Sequence, residues 1–355
     1  MKKTILALSL ALLSTLSYSQ SKIYKAVRNG DVQFVSDYIK SGQDLNVQYK
    51  ATTVDEYNNE KISHTFDLLE YAANQGNEEI IKLLLGSKDL FSDFENSLNK
   101  AFAASISHGK IEIIKLFLDN GADIDSRCEV CYGQAAIQTA LEYGYFDIFT
   151  YLFQNGAKLD VQNNYGRTLL HSIAHTGNTE IAKLLIEKGL GVNTQDVDGA
   201  TPLIYAASNG EFEMFKLLLD KGAEPIMKEN DGSDVLMSAV ENGNPDIVNF
   251  LLEKYCDVNY KNNDNETPLI IASQAKKSNI VQLLITKGAE VNPANSKGET
   301  ALLWAIWNDD VETAKLLIEK GADLTAMDYL KPAKKYVKDK SFVEYLKTKT
   351  NTKKE

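Results

Sequence analysis

The chain has 355 residues, 44% of them apolar, and carries 38 Lys and Arg against 49 Asp and Glu for a formal charge of −11. An acidic chain lacks the basic stripe that a phosphate backbone demands, so nucleic acid is excluded as the expected partner. The three cysteines and four histidines form no four-ligand metal cluster.

Lys2 and Lys3 precede an apolar run from Ile5 to Leu16, and Ser17-Tyr18-Ser19 puts small residues where a leader protease reads. This predicts a bacterial secretory signal over residues 1–19, a mature start at Gln20, and an exported protein, periplasmic or secreted. Twelve apolar residues rise only about 18 Å as a helix, too short for a bilayer core, so no transmembrane anchor is expected. Removing the two leader lysines takes the charge from −11 to −13. The nine Lys and three acidic residues of 331–355 then leave −19 on the body that precedes them.

Residues 20–46 keep Ala26, Gly30, Val35, Ile39 and Gly42 at repeat spacing and read as a degenerate end repeat, which must tolerate water on one face. Residues 47–64 are a long inserted loop, either a binding element or a passive one. From 65 to 330 one sentence recurs at a period of about 33 residues, with starts near Thr65, Leu98, Gly133, Gly166, Gly199, Gly232, Asn265 and Gly298. A first glycine or its substitute follows at Gly177, Gly210, Gly243, Lys276 and Asp309, and a second at Gly189, Gly222, Tyr255, Gly288 and Gly321. The turns at Lys276 and Asp309 are expected to differ in shape from the glycine turns. Residues 331–347 fit a capping helix pair, and 348–355 a basic tail.

Thr201-Pro202-Leu203 and Thr267-Pro268-Leu269 open their repeats, Thr168-Leu169-Leu170-His171 adds a histidine, and Gly222-Ala223, Gly288-Ala289 and Gly321-Ala322 close theirs. This pattern resembles the ankyrin repeat. The resemblance implies an all-α ankyrin repeat solenoid of about nine helix-turn-helix units with β-hairpin-like finger loops, in a curved stack. Within one unit, Thr201 caps the first helix, Pro202 sits in its first turn, and Leu203, Ala206 and Ala207 face inward. Leu217, Leu218 and Leu219 are expected to supply most of the apolar burial, each worth about 2 kcal/mol. Gly222 ends the second helix.

Reactive constellations are sparse, and neither a catalytic site nor a cofactor is expected. His171 takes the structural histidine position of the resemblance. His175, four residues on, could share a helix face with it as a metal pair, but no Glu between them could act as a base. Cys128 and Cys131 form a Cys-x-x-Cys on a loop, which suits a small disulfide in an oxidising compartment. Free thiols, or a thiol-disulfide active pair, are the alternatives. Glu180, Glu213, Asp246 and Glu312 recur at one position of the second helix, which marks a solvent or structural role.

In the family that the chain resembles, partners bind the concave face, built from finger tips and the exposed side of each first helix. Six residues past each start lie Tyr71, Tyr205 and Trp304 among smaller residues; nine past lie His175, Glu241 and Trp307. Tyr132, Tyr165, Asp198, Asp231 and Asp264 are finger-tip residues. The two tryptophans, the only ones in the chain, are three residues apart and share a face. They are either an aromatic anchor for a partner or a seal against the cap. The expectation is a non-catalytic, monomeric scaffold of the bacterial envelope that grips one or more proteins. An immunity protein and a secreted effector acting by protein binding are the alternatives.

Overall fold

The computed structural model describes residues 22–43, 45–54, 61–128, 132–325 and 328–352. The leader at 1–19 and Cys131 lie outside the described residues. The chain divides into two units, Met1–Tyr165 and Gly166–Glu355.

Among its described residues the first unit holds four helix pairs: α1 (Lys22–Asn29) with α2 (Val32–Lys40), α3 (Leu68–Gln75) with α4 (Glu78–Leu85), α5 (Phe94–Ser105) with α6 (Ile111–Asp119), and α7 (Ala136–Glu142) with α8 (Phe146–Gln154). The insertion read as a loop instead forms two antiparallel strands, β1 (Tyr49–Val54) and β2 (Lys61–Phe66), in register from Tyr49 opposite Phe66 to Val54 opposite Lys61. Leu98, where the period places a start, lies inside α5, because Asp93 caps that helix by accepting from Asn96 N and so starts it early. A shorter ribbon, β3 (Arg127–Cys128) with β4 (Gln134–Ala135), precedes α7.

The second unit stacks five repeats and a cap: α9 (Leu169–Thr176) with α10 (Thr179–Glu187), α11 (Pro202–Asn209) with α12 (Phe212–Asp220), α13 (Val235–Asn242) with α14 (Pro245–Lys254), α15 (Pro268–Gln274) with α16 (Ser278–Thr286), and α17 (Ala301–Trp307) with α18 (Val311–Glu319). The cap is α19 (Leu330–Tyr336) with α20 (Lys340–Thr352), so the helix continues into the stretch read as a basic tail. First helices pack on first helices through the unit, and second on second.

One repeat shows why these residues fold so. Thr201 Oγ1 accepts from Ile204 N, Pro202 occupies the first turn, and Gly210 ends α11 at φ 75°. Leu203, Ile204, Ala206 and Ala207 are buried as the first-helix face. In α12 the buried stripe is Met214, Phe215 and Leu218. Leu217 and Leu219 are only half-buried, because the 3.6-residue helical turn carries neighbours of Leu218 away from the core. Lys276 and Asp309 keep the left-handed backbone of the glycines they replace, both at φ 57°, contrary to the expected change of turn shape. A side chain in that region costs on the order of 1 kcal/mol, which the packed turn sustains. At Tyr255 the turn does change, with φ −134°.

Neighbouring repeats are also tied at their turns. His108 Nε2 bonds Asn74 O (2.9 Å), Asn242 Nδ2 donates to Ser208 O (3.1 Å), and Asn308 Nδ2 donates to Gln274 O (3.0 Å). Burial lowers the pKa of His108 below the usual imidazole range. Because Leu218 is fully buried, Leu218→Ala is expected to cost about 2–5 kcal/mol in urea denaturation. Hydrogen exchange should then accelerate chiefly in the sixth repeat and the repeats stacked on it.

Candidate functional site

Three fingers of the second unit are each built by one side chain that the sequence reading missed. Asp196, Asn262 and Asn295 fall 30 residues after their repeat starts, are buried, and fold the tip onto their own carbonyl-type oxygen. Asp196 Oδ1 accepts from Asp198 N and Ala200 N, both at 3.0 Å. Asn262 Oδ1 accepts from Asp264 N and Glu266 N, and Asn295 Oδ1 from Lys297 N and Glu299 N. The signal was present as a recurrence of Asn or Asp at one register position, in a motif that turn chemistry explains.

Tips then join edge to edge. Asn230 N donates to Asp198 O (2.8 Å), Asn263 N to Asp231 O (2.9 Å), and Ser296 N to Asp264 O (2.8 Å). Their backbone is used up in this ladder, so the side chains of Asp198, Asp231 and Asp264 are left exposed.

Behind the fingers, the row nine residues past each start is accessible: His175 and Trp307 are half-buried, and Ser208, Glu241 and Gln274 are exposed. The row at six is the more enclosed, with Ser172 and Ser238 buried and Tyr205, Ile271 and Trp304 half-buried. Trp304 and Trp307 meet edge to face, with centroids 5.1 Å apart at 89°. Neither is wholly enclosed, and the Trp304 indole Nε1 is a buried atom with no hydrogen-bond partner.

Tyr205 is less available than its position suggests. Its hydroxyl donates to Asp196 Oδ2 (2.9 Å), the Arg167 guanidinium lies over its ring at 5.3 Å, and Arg167 pairs with Asp196 at 3.5 Å. The ring therefore braces the finger as well as facing the surface.

In the first unit Tyr71 is 6% exposed, enclosed by Tyr24 and Tyr49 with both ring centroids at 5.0 Å. This removes it from the accessible set. Tyr24 and Tyr49 come from the end repeat and the ribbon, so the insertion contributes core that the period alone did not reveal. Tyr132 and Tyr165 are half-buried finger residues with rings 5.2 Å apart.

The remaining candidates for chemistry fall to structure. His171 is buried: its Nδ1 accepts from Thr168 N (3.0 Å) and Nε2 bonds Ala200 O (3.1 Å). Desolvation lowers its pKa to about 4, so the imidazole is neutral. Both ring nitrogens are committed, which leaves none to join His175 in a metal pair. Among the described residues no group of three or more His, Cys, Asp or Glu gathers as metal ligands would. Cys128 is disulfide-bonded and 4% exposed on β3, so its sulfur is neither a free nor an accessible thiol. Its expected partner, Cys131, lies outside the described residues. Glu180, Glu213 and Glu312 pair with Lys183, Lys216 and Lys315 on the surface, as their recurrence implied. Among the described residues no helix is long and apolar enough to cross a membrane.

Glu229 breaks the finger pattern. It stands at the position of Asp196 and Asn262, and its longer side chain leaves the tip fold to Asp231, which accepts from Ser233 N (2.8 Å). Burial, then the charges of Asp231, Asp196, Asp198 and Glu241, raise the Glu229 pKa to about 7. A raised carboxyl pKa means that the folded chain binds more protons than the unfolded one between about 4.5 and about 7, so stability falls as pH rises through that window. The loss is on the order of 1 kcal/mol once solvent screening of a half-exposed group is allowed for. Glu229→Gln should abolish it, read as the difference between wild-type and variant unfolding curves at pH 5 and pH 8. A difference, rather than an absolute slope, isolates Glu229, because His171 contributes stability of the opposite pH dependence: full above its unfolded pKa and lost on acidification towards about 4.

A family model for ankyrin repeats, three copies long, matches residues 23–128, 69–163, 137–229, 193–262 and 236–328. No curated protein matches the chain.

Proposed function

Since the chain belongs to the ankyrin repeat family, whose members typically mediate protein–protein interaction, we propose that it is a non-catalytic scaffold binding a protein partner across the fingers and first helices of its second unit. The observation that carries this reading is the half-exposed Trp304–Trp307 pair, on the same unit as the exposed tip carboxylates. An edge-to-face indole pair offers a large contact area at little entropic cost and is the residue chemistry of binding hot spots. Asp198, Asp231, Glu241 and Asp264 are exposed on the fingers and first helices and add negative charge there, which favours a partner presenting Lys or Arg.

We further propose that the mature chain acts in the envelope of a bacterium or outside it. Support comes from the leader pattern of residues 1–19 and from the disulfide at Cys128, which an oxidising compartment maintains.

Pull-down with the full chain from its own cells, followed by the same experiment with Trp307→Ala and with Trp304→Ala, tests the site. Each variant should keep its melting transition, and each should lower partner affinity by about tenfold or more. Undiminished capture by both folded variants would move the site elsewhere. Fractionation should find the chain outside the cytoplasm and beginning at Gln20; recovery of the intact leader in the cytoplasm would overturn the placement.

A further inference from the structure

Three seams of the second unit are closed by the same amide. Asn193 Nδ2 donates to Gly222 O (3.1 Å) while its Oδ1 accepts from Glu224 N (2.9 Å). Asn259 does the same with Gly288 O and Glu290 N, and Asn292 with Gly321 O and Asp323 N. At the seam between the sixth and seventh repeats, the period puts Ile226 in the asparagine position and Tyr255 in that of the glycine. The amide clamp is lost there. In its place stand two apolar side chains in water, Ile226 at 72% and Tyr255 at 47% exposure.

Aromatic rings adjoin that pair. The half-buried Phe250 packs its ring against Tyr255 (6.1 Å) and Phe212 (6.2 Å), and the Lys254 ammonium lies over its face at 4.3 Å. An isoleucine so exposed leaves apolar surface that the folded chain does not cover.

We propose that this seam docks a second copy of the chain, in a twofold contact that sets Ile226 of each protomer against Tyr255 of the other. The charges beside it select that occupant. Asp220, Lys221, Glu224, Lys254 and Asp257 are all exposed, and none forms an ion pair with a described residue. Two copies of a chain with net charge −11 repel over most of their surface. A patch holding both signs lets Lys221 and Lys254 of one copy face Asp220, Glu224 and Asp257 of the other, as an isologous contact requires. A patch of this extent falls short of the roughly 800 Å² per partner of tight complexes, so the dimer is weak, with a Kd on the order of 10–100 μM. It replaces the monomer expected from the repeat architecture alone, and leaves the finger surface of each copy for a different partner.

Equilibrium sedimentation of the full chain tests this. The wild type should pass from monomer to dimer between about 1 and about 200 μM. Ile226→Asn restores the amide that the other seams carry, so it should keep or raise the melting temperature while weakening association by about tenfold or more. Lys254→Glu, which leaves the apolar pair in place, should weaken it also, whereas Trp307→Ala should not. A wild type that stays monomeric throughout, or folded Ile226→Asn and Lys254→Glu variants that associate as strongly as the wild type, would overturn the proposal.

Discussion

Contact between one helix pair and the next is the constraint from which the rest of this protein follows. A single repeat such as α11 with α12 has too little interior to stand alone: Ala206 and Ala207 on one helix and Met214, Phe215 and Leu218 on the other are dry only because neighbours cover them. Three polar ladders reinforce that stacking at fixed register. Turn amides reach back to the previous first helix, finger edges share backbone hydrogen bonds, and asparagines clasp the next repeat at its Gly-Ala corner. Every one of these bonds links positions about one period apart, so the repeat length is a mechanical requirement before it is a sequence habit.

This order explains what was legible in the sequence and what was not. Repeat starts, caps and glycine turns answer to local rules, and Thr201, Pro202, Gly210 and Gly222 could be read directly. The buried stripe was misjudged at Leu217 and Leu219 because a run of three leucines hides which of them points inward, whereas the phase of α12 decides it. Tyr71 was misread for a different reason. Its burial depends on Tyr49, a residue of the inserted ribbon with no place in the period, so no repeat alignment could anticipate the aromatic enclosure. Of the candidate surface, the tip carboxylates were visible as a recurrence just before the starts at Gly199, Gly232 and Asn265, and the tryptophan pair as a departure from the repeat. Asp196, which positions the tip and holds Tyr205, was overlooked because it obeys the repeat.

The substituted turns divide into two kinds. Lys276 and Asp309 preserve the left-handed geometry at the expense of local strain, and the helices on either side remain in register. Tyr255 abandons that geometry, and the clasp that would meet it is missing as well, since Ile226 has no amide to offer. Such paired change, on two adjacent repeats at one seam, sets this seam apart from the three that retain the asparagine.

Absence of that clasp also bears on how the second unit responds to force. A linear array transmits tension from rung to rung, and its resistance is that of its least fastened joint. Amides clasp the Gly-Ala corners at Asn193, Asn259 and Asn292 and none does so at Ile226, so the joint of the sixth and seventh rungs is fastened on that side by helix packing alone. It carries its load through the turn bond of Asn242 to Ser208 and the finger bond of Asn263 to Asp231, and a pull along the array opens it from its unclasped corner. The turn and finger bonds then act as the hinge of that opening, and the corner closes again when the load is released.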